Sequence, residues 1–293
     1  MKRSILYILL LFTGIFINSC ESDDPDKNNS IFDDIVTEQN SFDLWLENNY
    51  RVPYNIVVAY KIKDVETDFG YNVIPADFTK SKQMAFLLKY LWLEAYEEVA
   101  EDGVHFVRAT CPKLLHYIGS AEHDPSAGTI RLGVAEGGLK VTITQVNELV
   151  PRNIVNQNYF NTIHHEFGHI LHQTKNFPVE FNTISASDYA PTTWQNRSDA
   201  EAYRLGFVSP YAGNLPNEDF VEVLARYLTR SDATWNAMLT TAGATGSAII
   251  EEKLDIVKSY MKTTWKIDLD ELKTVVQRRA VETQTMDFDN LGF

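Results

Sequence analysis

The chain has 293 residues, of which 44% are hydrophobic and 12% aromatic, and its formal net charge at pH 7 is −14. This acidic balance argues against binding to nucleic acid or to an anionic membrane surface, because the phosphates of both attract basic proteins. The hydrophobic content is sufficient for a folded core, which excludes a wholly disordered chain.

The N-terminus has the features of a bacterial export signal. Two basic residues are followed by an apolar run at Ile5–Ile17, which is shorter than the roughly 20 residues needed to span a bilayer. The run ends in Ile-Asn-Ser-Cys, which resembles the lipobox of bacterial lipoproteins and predicts lipidation of Cys20. We therefore predict a lipoprotein signal over residues 1–20. An ordinary secretory signal with a chance cysteine is the alternative.

The segment after the signal is acidic, polar and contains a proline, which predicts a flexible tether over residues 21–30. Removal of residues 1–19 takes away two positive charges, so the net charge changes from −14 to −16. With Cys20 acylated, Cys111 has no disulfide partner. The folded domain, predicted at residues 31–285, must therefore be stabilised by its core.

The first part of this domain, residues 31–150, is predicted to contain a small mixed sheet. Apolar spacing predicts helices at Ser41–Asn49 and Phe78–Ala100. β-Branched and aromatic residues predict strands at Tyr54–Ile62, Leu114–Ile118, Thr129–Val134 and Leu139–Val146. A Gly-Gly pair joins the last two strands into a hairpin.

A histidine-rich segment, Asn158–Lys175, is predicted to be a helix that carries a metal site. His165 and His169 form a His-Glu-x-x-His pattern, and residues four apart lie on one helix face. Both imidazoles can therefore reach one zinc ion at about 2.0–2.1 Å. Glu166 lies about 100° further round the helix, near enough to act on a water molecule without binding the ion. The opposite face is apolar and is expected to pack on the core.

The second part, residues 151–285, is predicted to be mainly helical. Ser198 and Glu201 form a capping-box pattern, which gives this glutamate a structural role. Helices are predicted at Asn217–Thr229, Ala233–Thr240, Ser247–Trp265 and Leu269–Val281. A small mixed sheet, a catalytic helix and a helical C-terminal half together predict an α+β fold with a cleft between the two parts.

A hydrolytic zinc site usually has three protein ligands, so one further ligand is required. Glu218 is the favoured candidate, because the dipole of its predicted helix stabilises an ionised carboxylate in the first turn. Glu222 lies one turn further on the same face, so the two acids are ligand and supporting residue in either order. His172 lies two turns, about 10.5 Å, beyond His165, which favours a supporting role. An ordinary surface pair of Glu222 with Arg226 is the alternative without a metal.

The motifs resemble the catalytic domain of anthrax lethal factor over about residues 160–230. That family has a His-Glu-Phe-x-His helix, followed by a tyrosine and by an Asn-Glu segment that supplies a zinc-binding glutamate. The resemblance implies that Glu218 binds zinc, that Glu222 supports the site and that Tyr211 donates a hydrogen bond to the developing oxyanion. The two sequences differ at Asp219, where that family has phenylalanine.

A second resemblance covers nearly the whole chain. The lipobox, the His-His-Glu-Phe-Gly-His-Ile-Leu-His helix and the Asn-Glu-Asp-Phe-Val-Glu segment look like the substrate-import-associated zinc metallohydrolase lipoproteins of Bacteroidetes. This resemblance implies an outer-membrane lipoprotein of the cell envelope that is exposed at the surface and works with a nutrient importer.

Together these features predict a gluzincin-type zinc metallopeptidase with a peptide or protein substrate. Glu166 is the expected general base, and a strand of the predicted hairpin is a candidate for pairing with an extended substrate. Two alternatives stay open. One is a zinc hydrolase of a non-peptide substrate, and the other is a lipoprotein that binds a nutrient or a partner protein with a structural zinc ion.

Overall fold

The computed structural model describes residues 39–62, 72–124, 129–131, 133–136, 138–156 and 158–292. The predicted signal peptide, the lipidation site Cys20 and the tether lie outside this part of the chain. Among the helices that are described, none has the length and apolar character required to cross a membrane.

Helical residues precede the sheet, at Ser41–Leu46 (α1), in a π-helical turn at Glu47–Arg51, and at Val52–Tyr54 (α2). The N-cap of α1 is Asn40. The Asn40 side chain accepts a hydrogen bond from the Asp43 amide, and the Asp43 carboxylate accepts one from the Asn40 amide.

In the part of the chain that the structure describes, the main sheet has four strands, in the order β1–β2–β6–β5. These strands are β1 (Val57–Ala59), β2 (Leu114–Tyr117), β5 (Gly133–Glu136) and β6 (Lys140–Ile143). β1, β2 and β6 are parallel, whereas β5 is antiparallel to β6. Two further strands, β3 (Glu122–Asp124) and β4 (Thr129–Arg131), form a separate antiparallel ribbon.

Two predicted strands differ from those observed. The strand predicted from Tyr54 begins only at Val57, because Asn55 adopts a left-handed conformation, with φ 60°, that ends α2. The strand predicted at Thr129–Val134 is divided between β4 and β5, which belong to different sheets.

The predicted long helix is present as Phe78–Leu88 (α3), a π-helical turn at Lys89–Leu93, and Glu94–Val99 (α4). Asp77 caps its N-terminus by accepting a hydrogen bond from the Lys80 amide at 2.9 Å. A further helix, Val104–Thr110 (α5), was not predicted. It buries only Val107 and Thr110, which is too few residues to give a periodic apolar pattern.

The helical C-terminal half follows the sheet. Its helices are Asn158–Thr174 (α6), Phe181–Ile184 (α7), Asp199–Arg204 (α8), Pro216–Thr229 (α9), Asp232–Trp265 (α10) and Leu269–Glu282 (α11). The capping box predicted for Ser198 and Glu201 is present at the start of α8. The two helices predicted on either side of Gly243 are present as the two segments of α10, which meet at a kink at that glycine, where φ is 70° and ψ is 179°. The predicted α+β fold is confirmed.

The N-terminus of α9 differs from the prediction by one residue. Leu215 is the N-cap, and Pro216 occupies the first helical position, one residue before the predicted start at Asn217. Proline suits this position, because its missing amide would have had no partner in the helix and its fixed φ matches the helix. Glu218 still lies in the first turn, as the sequence predicts.

Helix α6 is fixed in the core on two sides. On one side, Phe167 packs edge to face against Trp92 and Tyr96, with ring centroids 5.5 and 4.8 Å away. On the other side, α6 approaches α9 at Gly168, where a Cβ atom would lie 3.0 Å from side-chain atoms of both Val221 and Leu224. This close approach brings the polar residues of α6 next to the first turns of α9.

Candidate metal centre

Three ligand atoms from two helices meet at one point. The Nε2 atoms of His165 and His169 are 3.2 Å apart, and each lies 3.2 Å from Oε2 of Glu218. Helix α6 supplies both histidines at one-turn spacing, and the first turn of α9 supplies the glutamate. In the described residues this is the one group of three or more His, Cys, Asp or Glu side chains placed to hold a metal ion.

The geometry and chemistry of this triad fit zinc. In tetrahedral coordination at 2.0–2.1 Å, ligand atoms are about 3.3 Å apart, close to the separations seen here. Two imidazole nitrogens and one carboxylate oxygen are typical of hydrolytic zinc sites and leave a fourth position for water or substrate. The three side chains, His165, His169 and Glu218, are 9%, 13% and 17% exposed, so the triad is largely enclosed but still reached by solvent.

Glu222 supports His165 from the side away from the triad. Its Oε1 atom lies 3.0 Å from Nδ1 of His165, which directs the other ring nitrogen, Nε2, towards Glu218. Its Oε2 atom accepts hydrogen bonds from Ser209 Oγ and Arg226 Nε, both at 2.5 Å. Glu222 is buried, so its pair with Arg226 is not the surface pair considered from the sequence.

The two glutamates favour positive charge on the groups that face them. Burial raises the pKa of Glu218, but hydrogen bonds from His165 and His169 outweigh it and hold that pKa well below its usual range. Burial lowers the pKa of His165, but hydrogen bonds with Glu218 and Glu222 outweigh it and raise that pKa to about 10. The site therefore attracts positive charge, which a metal cation would supply.

His172 lies outside the triad and contacts His169. Its Nε2 atom is 3.0 Å from Nδ1 of His169, and the two rings meet edge to face with centroids 5.2 Å apart. Burial, together with the charge of His169, lowers the pKa of His172 to about 4, so this ring is neutral at pH 7. A neutral Nε2 can accept the Nδ1 proton of His169, which orients that ring with Nε2 towards Glu218.

Glu166 and Tyr211 are both close to the triad. Glu166 is 7% exposed and follows His165 on α6, and its charge raises the pKa of both His165 and Tyr211. Tyr211 lies in a 3-10 turn before α9, with its ring centroid 5.8 Å from that of His165. Burial raises the pKa of Tyr211 and the nearby Glu218 carboxylate raises it further, so Tyr211 keeps its proton at neutral pH.

Two neighbours of the site were not found from the sequence. Ser209 bonds Glu222, and Trp194 packs edge to face on Tyr211, with ring centroids 4.9 Å apart. Both residues lie outside helices with an apolar period, and neither is a usual metal ligand or general base. Their roles depend on how the segment before α9 folds against the helix, which local patterns do not encode.

Comparisons with known proteins identify the family to which the chain belongs. The model of the family described as "Putative zinc-binding metallo-peptidase" matches residues 35–270. A crystal structure described as a putative zinc-binding metallo-peptidase, from Bacteroides caccae, is 48% identical to the chain, with a TM-score of 0.75. That similarity covers 89% of this chain and 100% of the other. A search of curated proteins finds no match. The family match covers most of the chain, so the chain belongs to this family.

Proposed function

We propose that the protein is a gluzincin-type zinc metallopeptidase in which His165, His169 and Glu218 are the metal ligands. The observation that supports it most is the triangle of ligand atoms, 3.2 Å on each side. Structural zinc sites are usually closed by four protein ligands, whereas this group has three and is open to solvent. A structural zinc site also needs no general base, so it gives no reason for a carboxylate such as Glu166 beside the ligands.

Each residue of the site has a defined part in amide hydrolysis. Zinc bound there would polarise the scissile carbonyl and lower the pKa of a water molecule towards 7. Glu166 would take a proton from the attacking water and pass it to the leaving amine. Tyr211, which is protonated, would donate a hydrogen bond to the carbonyl oxygen as that oxygen gains negative charge. Glu222 contacts Nδ1 of His165 and His172 contacts Nδ1 of His169, and these contacts orient the two imidazole rings.

The sheet suggests how an extended peptide would lie beside these residues. Of the two hairpin strands, β6 is interior and pairs on both sides, whereas β5 is the last strand of the main sheet in the described residues. β5 also packs against α6, the helix that carries His165 and His169. We propose that a peptide substrate pairs with the free edge of β5, where main-chain hydrogen bonds give affinity with little sequence restriction.

The test of this function is cleavage that depends on zinc. We expect the purified full chain to hold about one zinc ion by elemental analysis and to cleave members of a broad peptide library. A chelator should abolish cleavage and added zinc should restore it, because the ion supplies the chemistry of the step. His169→Ala should bind zinc weakly and be inactive, since it removes one of three ligands.

The matched control is His105→Ala, which changes an exposed histidine on α5 and should retain both zinc and activity. A wild-type chain that holds zinc but cleaves no peptide would favour a non-peptide substrate or the binding-lipoprotein alternative. A chain that takes up no zinc, even when zinc is supplied, would contradict the proposal.

We also propose that the protein is an outer-membrane lipoprotein, anchored through Cys20 and exposed at the cell surface beside a nutrient importer. The support is the resemblance of residues 17–20 to a lipobox, followed by an acidic tether. Cys20→Ala is expected to move the protein from the membrane fraction to the soluble fraction, as measured by fractionation and immunoblotting. Cys111→Ala, which changes the buried cysteine, should leave it with the membrane. Unchanged membrane association of Cys20→Ala would remove the anchor from the proposal.

A further inference from the structure

A buried lysine from α10 reaches the helix that carries Glu218. The Nζ atom of Lys253 lies 2.6 Å from Oδ2 of Asp219, and both side chains are 0% exposed. The same Nζ donates a hydrogen bond to the Gly206 carbonyl at 2.8 Å and lies 4.2 Å from the ring centroid of Phe207. The oxygens of Asp219 and Gly206 thus accept from the ammonium, which has three N–H groups to donate, and the Phe207 ring lies beside it. Asp219 Oδ2 also accepts a hydrogen bond from the Tyr189 hydroxyl at 2.9 Å.

Asp219 directly follows Glu218 in the first turn of α9, which has no side-chain cap. The N-cap Leu215 makes no side-chain capping bond, and the first backbone bond of the helix joins the Asp219 amide to the Leu215 carbonyl at 3.0 Å. The first turn of an uncapped helix frays readily, because its amides have no partners. The contacts of the Asp219 side chain therefore attach this uncapped turn to the rest of the fold.

Lys253 comes from a helix whose own position is closely fixed. A Cβ atom at Gly246 would lie 2.4 Å from the Tyr203 carbonyl oxygen, and one at Gly206 would lie 2.2 Å from Cγ2 of Ile249. Helix α10 thus packs closely against residues 203–206 through both glycines, and the Gly206 carbonyl accepts a hydrogen bond from the Lys253 ammonium. Lys253 therefore extends towards Asp219 from a closely packed part of α10.

Stability alone does not account for this pair. Moving an ammonium and a carboxylate out of water costs several kcal/mol for each ion, and apolar replacements of buried ion pairs are often as stable or more so. What an ion pair provides that an apolar contact does not is a fixed direction, because its hydrogen bonds require particular atoms at particular distances.

We propose that Lys253, Asp219 and Tyr189 are positioning residues, which fix the first turn of α9 so that the Glu218 carboxylate meets His165 and His169. This inference rests on the proposed function only in taking Glu218 as a zinc ligand. None of the three residues is a member of the ligand triad itself. Their effect on the site passes through the backbone of α9.

The test separates positioning from stability by replacing both members of the ion pair with apolar residues. The double variant Lys253→Met with Asp219→Leu leaves no unpaired charge and should keep a thermal unfolding midpoint close to that of the wild type when metal-free. Its dissociation constant for zinc, measured by competition with a fluorescent chelator, should rise about 10–100-fold, as for other residues that orient metal ligands.

The matched control replaces a Lys–Asp pair of the same 2.6 Å length that joins α11 to the start of α10. Lys273→Met with Asp232→Asn should bind zinc as tightly as the wild type. If the double variant at positions 253 and 219 is folded and binds zinc with wild-type affinity, the positioning role is wrong.

A more conservative variant decides the matter if that double variant does not fold. Tyr189→Phe removes one hydroxyl donor to Asp219 and keeps the ring contact with Phe207, whose centroid is 5.4 Å away. Weaker zinc binding by folded Tyr189→Phe supports the inference, and wild-type affinity overturns it. A wild-type chain that binds no zinc overturns the proposed function and this inference together. A failure of positioning alone leaves wild-type zinc binding intact.

Discussion

Replacing Glu166 with glutamine is expected to reduce peptide hydrolysis by about 10²–10⁴, the usual contribution of a general acid–base residue. Glutamine keeps the length and the hydrogen-bonding reach of the side chain but cannot take a proton from water. Glu166 lies on the same helix as His165 and His169 but is not one of the three ligand residues, so zinc content should not change. The free energy of unfolding should stay within about 1 kcal/mol of the wild type, because the two side chains have nearly the same shape.

The measurements are steady-state cleavage of a peptide identified with the wild type, zinc content by elemental analysis, and thermal unfolding. Glu180→Gln is the matched control, since it makes the same change at an exposed glutamate shortly after α6. Wild-type cleavage by Glu166→Gln would remove this residue from the mechanism. Loss of zinc from that variant would show instead that Glu166 maintains the site.

Substitution of the two glutamates on α9 is expected to have different effects. Glu218→Ala removes one of three ligand atoms and should abolish tight zinc binding. Glu222→Ala removes the acceptor of His165 Nδ1 and should weaken zinc affinity only about 10–100-fold. Glu222→Ala should also lower the free energy of unfolding of the metal-free protein by about 1–3 kcal/mol, because Ser209 and Arg226 lose their acceptor.

Zinc content and chemical unfolding of the metal-free protein distinguish these outcomes. The control is Glu271→Ala, which changes an exposed glutamate in the first turn of α11 and should leave zinc binding unchanged. If Glu222→Ala loses zinc completely and Glu218→Ala does not, the ligand is Glu222. If neither matters but His172→Ala does, the gluzincin assignment is wrong.

The parts of the fold that follow local patterns could be predicted from the sequence. Helix α6 has both an apolar face and a polar motif, and the long helix from Phe78 has a sustained apolar period, so both were found with nearly their observed bounds. The short helix α5 and the division between β4 and β5 were missed, because neither has a periodic signal of its own. Their positions depend on contacts made after the chain has folded.

The site shows the same limit. Spacing alone relates His165 to His169, and it equally allows Glu218 or Glu222 as partner, because both acids lie on one face of α9. What distinguishes the two glutamates is their surroundings. Glu222 faces Ser209, which is 13 residues away along the chain, and Glu218 faces His169, which is 49 residues away. No local pattern encodes these pairings. The departure at Asp219 from the lethal factor pattern also has a structural counterpart, because its partner Lys253 comes from α10.

The distance along the chain between His169 and Glu218 has a consequence for the stability of the fold. An ion held by both residues would close a loop of 49 residues, as a covalent cross-link would. In the chain-entropy treatment of cross-links, closing a loop of that length lowers the conformational entropy of the unfolded chain. This raises the free energy of unfolding by about 4 kcal/mol. The same ion would therefore connect α6 to α9, and a shortage of zinc would lower the stability of the fold as well as the proposed hydrolysis.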